Sequence, residues 1–269
     1  MGASIAYNAP MKIASWNVNS LKVRLPHLTQ WLADAQPDVV ALQETKLEDA
    51  KFPVDELAAA GYRAVFSGQK TYNGVALLAR AGIDGGFEDV VTDIPQLQDP
   101  QRRILAATIG GVRVVDLYVV NGKAVGDEKY AYKLDWLAKM REFLAGELER
   151  HPNLVVLGDF NIAPDDRDVY DPATWGEDIL CSPPERDALK RITELGLHDS
   201  FRLFEPAGEH FSWWDYRQAA FRRNMGLRID LILIADALKS AAKAATIDRT
   251  PRTWERPSDH TPVTVDLDI

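Results

Sequence analysis

An α/β fold with antiparallel or mixed sheets and helices on the outside is what this 269-residue sequence predicts, and three observations carry it. Short apolar runs of strand length recur along the whole chain. Several of these runs are joined by turns, one pair of them across Gly110-Gly111. Longer stretches between them carry apolar residues at helical spacing. Hairpin connections exclude a simple alternation of strand and helix with every strand parallel.

Taken in order, 12–18 opens the fold as a strand. Leu25, Leu28, Trp31 and Leu32 share one face of a helix over 25–35, which Pro37 stops. The apolar run 38–42 is a buried strand, and 52–60 is a helix closed by Gly61. The stretches 62–67 and 74–80 are strands around a polar turn, and 103–109 with 113–119 form the Gly-Gly hairpin. The clearest helix is 127–150, where Tyr130, Leu134, Leu137, Leu144 and Leu148 recur three, four and seven apart. Then come a strand at 154–157, a long loop over 162–184, and a helix at 185–195 with Gly196 past its end. Strands are expected at 211–214, 228–234 and 262–267.

Composition sets the outer limits. Hydrophobic residues make up 46% and charged residues 26%, enough apolar surface for a large core in a soluble globule. The one cysteine, Cys181, excludes an internal disulfide and a thiolate metal cluster. No apolar run is long enough to span a bilayer, so no membrane role is expected. Residues 1–10 read as a disordered leader before a domain over 11–269, and the protein is expected to be cytoplasmic. The net charge of −9 argues against a basic coat for non-specific nucleic-acid binding. A local basic rim remains available from Arg217, Arg222, Arg223 and Arg228, and from Arg249, Arg252 and Arg256.

The informative pattern is positional. Apolar strands repeatedly run into carboxylates, amides or an imidazole: Asn17 and Asn19; Gln43-Glu44; Tyr118 and Asn121; Asp159 and Asn161; Asp230; Asp259-His260. Any one of these has a plain structural explanation, such as a turn cap. Six of them at strand ends can converge on one rim of a sheet. Such a set suits a hard divalent ion, which prefers oxygen ligands. It also suits phosphodiester hydrolysis, which needs neutralised oxygens, an activated water and a stabilised leaving oxygen. His260 with the preceding Asp259 reads as an oriented imidazole, and Asp159 as the alternative base. The sequence has no G-x-S-x-G elbow, no phosphate-binding P-loop and no H-E-x-x-H.

At this point the sequence resembles the exonuclease III and AP endonuclease branch of the endonuclease/exonuclease/phosphatase superfamily. The resemblance rests on Trp16-Asn17-Val18-Asn19, Gln43-Glu44-Thr45-Lys46, Tyr118-Val119-Val120-Asn121-Gly122 and Gly158-Asp159-Phe160-Asn161. It continues with Trp213-Trp214-Asp215-Tyr216-Arg217, Leu227-Arg228-Ile229-Asp230 and Ser258-Asp259-His260. These segments stand in family order and reach from Met11 to Ile269. The resemblance implies a four-layered αββα sandwich: two mixed β-sheets packed face to face with helices outside.

It also implies roles. Glu44 is the expected principal metal ligand, with Asn17 and Asp259, and with Asp159 and Asn161 as further candidates; the ion is Mg²⁺ or Mn²⁺. Tyr118, Asp159, Asn161, Asp230 and His260 are the expected catalytic residues, with Asp230 orienting the histidine or helping the site's charge balance. Lys46, Arg103, Asn121, Trp213, Leu227 and Arg228 are the expected DNA contacts. Trp213, Trp214 and Leu227 are expected around a flipped abasic sugar, one tryptophan facing the pocket and one the core. Val120 departs from the family, whose members often carry proline there. The expected activity is cutting 5′ to an abasic site, with 3′–5′ exonuclease and 3′-repair phosphodiesterase action, by a monomer on double-stranded DNA with abasic or 3′-blocked sites. The alternatives are a superfamily member acting on RNA ends, inositol phosphates or sphingolipids, and a DNA-binding homologue with weak catalysis.

Overall fold

A computed structural model describes residues 10–269 except 95, 96 and 98. The expected leader therefore lies outside the described residues apart from Pro10, which is exposed. In chain order the strands are β1 (Met11–Asn17), β2 (Val39–Gln43), β3 (Tyr62–Ser67), β4 (Val75–Arg80), β5 (Glu88–Val91), β6 (Ile104–Ile109), β7 (Val112–Tyr118), β8 (Leu154–Asp159), β9 (Leu197–Asp199), β10 (Asp230–Ala235), β11 (Ala242–Ile247) and β12 (Val263–Leu267). The helices are α1 (Leu21–Ala35), α2 (Val54–Ala59), α3 (Glu128–Arg150), α4 (Pro172–Trp175) and α5 (Pro183–Thr193). Among the described residues, no helix is long and apolar enough to cross a membrane.

The strands form two six-stranded sheets, ordered β11-β12-β1-β2-β4-β3 and β5-β6-β7-β8-β10-β9. Each sheet is mixed, with one parallel pair at its centre: β1 with β2, and β7 with β8. The alternating pattern of the strands explains the layers. Ile13, Val39, Leu77, Val114, Leu157 and Ile232 point into the core between the sheets. Their chain neighbours Ala14, Val40 and Leu78 face outward onto Trp31, Leu28 and Leu32 of α1. Val115, Val156 and Leu231 face outward onto Trp136, Leu137 and Met140 of α3 and Leu189 and Ile192 of α5. Each such buried large side chain contributes about 1.5–3 kcal/mol relative to exposure. The result is the four-layered αββα sandwich.

Local signals set the helix ends. The Asp127 carboxylate accepts from the Lys129 N–H at the start of α3. Pro183 opens α5, where a proline costs no helical hydrogen bond, and Ser182 with Glu185 forms a capping box. The helix thus starts two residues earlier than the sequence pattern suggests.

Four strand assignments need correction. The segment 211–214 is not a strand: Trp213 alone bridges to Leu227 and to His260. The sequence pattern missed β5, β9 and β11. Their composition hides them, because β5 is mostly exposed, β9 has three residues, and β11 is rich in alanine.

Candidate active site

The parallel pairs at the sheet centres bring the polar strand ends together. In the second sheet Tyr118 is opposite Asp159 and Asp159 is opposite Asp230, so three strand ends present three polar side chains in a row. In the first sheet Asn17 is opposite Gln43, and Glu44 follows directly in the left-handed region at φ 52°. His260 joins them from the segment before β12, held by a bridge to Trp213 and by the Trp16 indole N–H on its carbonyl.

Asn17 links the two sheets. Its Nδ2 donates to Glu44 Oε1 and to Asp159 Oδ2, both at 2.9 Å, while its Oδ1 accepts the Asn19 N–H. Asp159 is further held by the Asn161 backbone N–H on Oδ1 at 2.9 Å. Asn161 adopts φ 49° and donates Nδ2 to the Val119 carbonyl. His260 turns Nδ1 to Asp230 Oδ2 at 2.9 Å and Nε2 toward Asp159 Oδ2 at 3.7 Å. Lys46 Nζ lies 2.9 Å from Glu44 Oε2 and donates to Asn19 Oδ1. Potential ligand atoms of Glu44, Asp159 and His260 all fall within 4.8 Å of one another.

Burial and charge tune these groups. Burial raises the Asp159 carboxyl, and Asp230 adds to this against His260, Asn17 and Asn161; the result is about 7. Burial alone would lower the His260 imidazole, but Asp230 and then Asp159 outweigh it and push it up to about 10. Tyr118 is driven well above the ordinary phenol value by burial and by Glu44, so it stays a hydrogen-bond donor. The Arg103 guanidinium lies over its ring, 4.6 Å from the centroid.

Two carboxylates and one imidazole, converging with a buried Asp230 beside them, form an oxygen-rich site with an excess of negative groups. That donor set fits a hard divalent cation.

Three expectations need correction. Asp259 does not orient His260 and is turned away from the triad: it accepts from Asn19 Nδ2 at 2.9 Å and from the Trp213 indole N–H at 3.0 Å. Arg228, expected to touch DNA, is 1% exposed and paired inside the protein with Asp168 and Asp199. Leu227 is fully buried, packed with Val169, Leu180 and Ile229.

The other expected contacts lie around the site. Asn121 is exposed and donates to Asn161 Oδ1 at 3.0 Å. Arg103 also donates to the Tyr118 carbonyl at 3.2 Å. Trp213 lines a pocket of about 290 Å³ with Tyr170, Trp175 and Arg217, whereas Trp214 is buried against Phe211 and Ala220.

Sequence reasoning missed Asp116. It is buried between the sheets and accepts from Gln43 Nε2 at 2.7 Å, and Gln43 in turn meets Ser15. Burial raises its carboxyl well above the usual range, against the hydrogen bond from Gln43. Its signal was available: one acidic residue inside a mostly apolar strand.

Residues 14–260 match the endonuclease/exonuclease/phosphatase family. The chain belongs to that family. Within it, relatives of nearly full length place it in the exonuclease III and AP endonuclease branch. It is 35% identical to exodeoxyribonuclease III of Haemophilus influenzae over 94% of this chain and 98% of that protein. It superposes with a TM-score of 0.93 and 50% identity on the 3′–5′ exonuclease NExo of Neisseria meningitidis, over 96% of this chain and all of that one. An AP endonuclease from Archaeoglobus fulgidus gives a TM-score of 0.91 at 35% identity, with 96% of this chain and 100% of that chain covered. NExo is also described as a 3′ phosphatase, bound to a product DNA hairpin.

Proposed function

We propose that this protein is a divalent-metal-dependent DNA-repair phosphodiesterase of the exonuclease III type, acting on duplex DNA at abasic sites and at blocked or free 3′ ends. The observation that carries the reading is the convergence of Glu44, Asp159 and His260 from four distant segments, counting Asn17 between them, into one cluster.

Hydrolysis is direct, with no covalent intermediate. Asp159, tuned to about 7 and fixed by the Asn161 N–H and Asn17, accepts the proton of the attacking water. His260, kept protonated by Asp230, donates Nε2–H to a phosphoryl oxygen. Tyr118 donates its phenol proton to the same group, braced by Arg103. Glu44 and Asp159, with Asn17 beside them, would hold a Mg²⁺ or Mn²⁺ ion, which would supply Lewis-acid neutralisation of the phosphate and the leaving oxygen. Phosphate contacts from Lys46 and Asn121 position the duplex without reading its sequence.

Within this reading, 3′-end processing ranks ahead of abasic incision. The relative at 50% identity is described as a 3′–5′ exonuclease and 3′ phosphatase, while the AP endonuclease stands at 35%. Leu227, expected beside an extruded sugar, is sealed under Val169 and Leu180. The protein is read as a cytoplasmic monomer, which sedimentation and cell fractionation check.

The test uses three duplexes, carrying an abasic site, a 3′-phosphate or an undamaged recessed end, across a metal series. Cleavage is expected with Mg²⁺ or Mn²⁺ and is expected to stop in excess EDTA. E44Q, D159N and H260N are each expected to lose most turnover. Full activity in EDTA, or no cleavage of any duplex with either metal, ends the proposal.

A further inference from the structure

The buried stripe of α3 contains two charged residues, Lys133 near its start and Glu147 near its end. Each is ion-paired. Glu147 meets Arg113 of β7 at 2.5 Å, and Lys133 meets Glu185 of α5. Lys133 and Glu185 are both wholly buried. Replacing a buried pair by apolar residues is often neutral or stabilising, so stability alone is a weak reason to bury a lysine here.

The two cations differ in what else they hold. Arg113 donates to the carbonyl of Asp89, on the strand at the sheet edge. Lys133 Nζ has three donors and three acceptors: Glu185, the Asn161 carbonyl at 2.7 Å and the Asn121 carbonyl at 3.2 Å. Those two asparagines follow β7 and β8, and their side chains meet at the site, with Asn121 Nδ2 on Asn161 Oδ1 at 3.0 Å. Asn161 stands at φ 49°, and its N–H holds Asp159 Oδ1. The chain is pressed onto the lysine stem as well: a Cβ at Gly122 would meet Lys133 Cδ at 3.1 Å.

Glu185 is locked in turn. It accepts from the backbone N–H groups of Leu180 and Ser182 and from the Ser182 hydroxyl, which also meets Tyr130 Oη at 2.7 Å. Lys133 is thus anchored from outside the sheet and reaches the underside of the site.

We propose that Lys133 is a positioning residue of the phosphodiesterase: it clamps the Asn121 and Asn161 peptides and, through Asn161, holds the Asp159 carboxylate in its working orientation. The inference rests on the proposed role of Asp159 in hydrolysis.

The experiment compares K133M/E185Q with R113M/E147Q, two neutral replacements of buried ion pairs that each include one residue of α3. The neutral double form avoids stranding Glu185 as a buried charge, as K133M alone would. For each, kcat and KM are measured with Mn²⁺ on the 3′-phosphate duplex, and the urea midpoint records the fold. Both are expected to shift the midpoint. Only K133M/E185Q is expected to lose kcat, by about 10–100-fold, with KM within about threefold of wild type. A kcat within twofold of wild type, or an equal kcat loss in R113M/E147Q, overturns the inference. A wild-type protein inactive on all three duplexes would instead remove the functional reading beneath it.

Discussion

Nδ1 of His260 lies 2.9 Å from Oδ2 of Asp230, a residue 30 positions earlier in the chain, and not beside the adjacent Asp259. This pair gives the fold a pH dependence whose sign follows from the shift. The folded imidazole is raised from 6.5 to about 10, so the stability it contributes is complete below about 6.5 and is lost as pH rises toward 10. The raised Asp159 carboxyl works in the same direction, but from its usual 3.8 up to about 7. In EDTA, the unfolding free energy from urea titration is expected to fall between pH 6.5 and 9.5. D230N removes the largest raising charge and is expected to flatten that fall. Parallel slopes for the two proteins would refute the assignment of Asp230 as the partner.

The convergence of Glu44 with Asp159 makes a second prediction, about metal alone. An ion that binds only the folded state stabilises it by about 2.7 kcal/mol at 100 times Kd. Mn²⁺ is expected to raise the Tm of wild type by several degrees, an effect reversed by EDTA. E44Q keeps the hydrogen bond from Asn17 but loses the charge. Its Tm is expected to change little with Mn²⁺. An equal shift in E44Q would place the ion elsewhere.

Arg228 supplies a third. Its Nε lies 2.5 Å from Asp168 Oδ1 and its Nη2 2.6 Å from Asp199 Oδ2, and Asp168 is wholly buried. R228M leaves Asp199 without its cation and the buried Asp168 with Arg202 alone, and is expected to cost about 3–5 kcal/mol of stability. Below its melting range the variant is expected to keep the wild-type KM for duplex and the wild-type salt dependence. A phosphate contact would instead raise KM and reduce the salt slope by about one.

How much of this was legible in the sequence depended on how far each signal was local. The strand ends carrying Asn17, Glu44, Tyr118, Asp159 and His260 could be read because apolar runs stop abruptly at polar residues. The two-sheet division was legible only by family resemblance, since period-two alternation does not say which strands pair. Arg228 and Leu227 were misplaced for one reason: a motif fixes order along the chain, whereas burial depends on what Asp168, Asp199, Val169 and Leu180 bring from elsewhere. Lys133 escaped notice because helical periodicity counts apolar residues, and a lysine on a buried stripe becomes visible only with its partner Glu185. The Asp230–His260 pair came only from the family resemblance, because adjacency in the chain favours Asp259 as the partner.

The last prediction tests how Asp159 is delivered to the site. Its neighbour Gly158 pairs with Leu117 at the parallel centre of the second sheet, at φ +138°. A Cβ there would stand 1.9 Å from the Leu117 carbonyl oxygen and 2.8 Å from its carbonyl carbon. Both atoms are backbone of a central strand, so neither can swing aside, and G158A must push β8 away from β7. The displacement reaches Asp159 directly and Tyr118 through the shared register. Overpacking of this kind costs about 1–3 kcal/mol, and a misplacement near 1 Å costs about 10²-fold in rate. G158A is therefore expected to lose both stability and kcat. Gly176 is the control. Its φ is also positive, +59°, but a Cβ there meets nothing within 4 Å. G176A bears only the conformational cost of its backbone, φ +59° and ψ −134°, of about 1–3 kcal/mol, and is expected to keep its kcat. Urea midpoints and single-turnover rates on the 3′-phosphate duplex separate the two variants; equal losses of rate would mean that the close β7–β8 contact does not set the position of the Asp159 carboxylate.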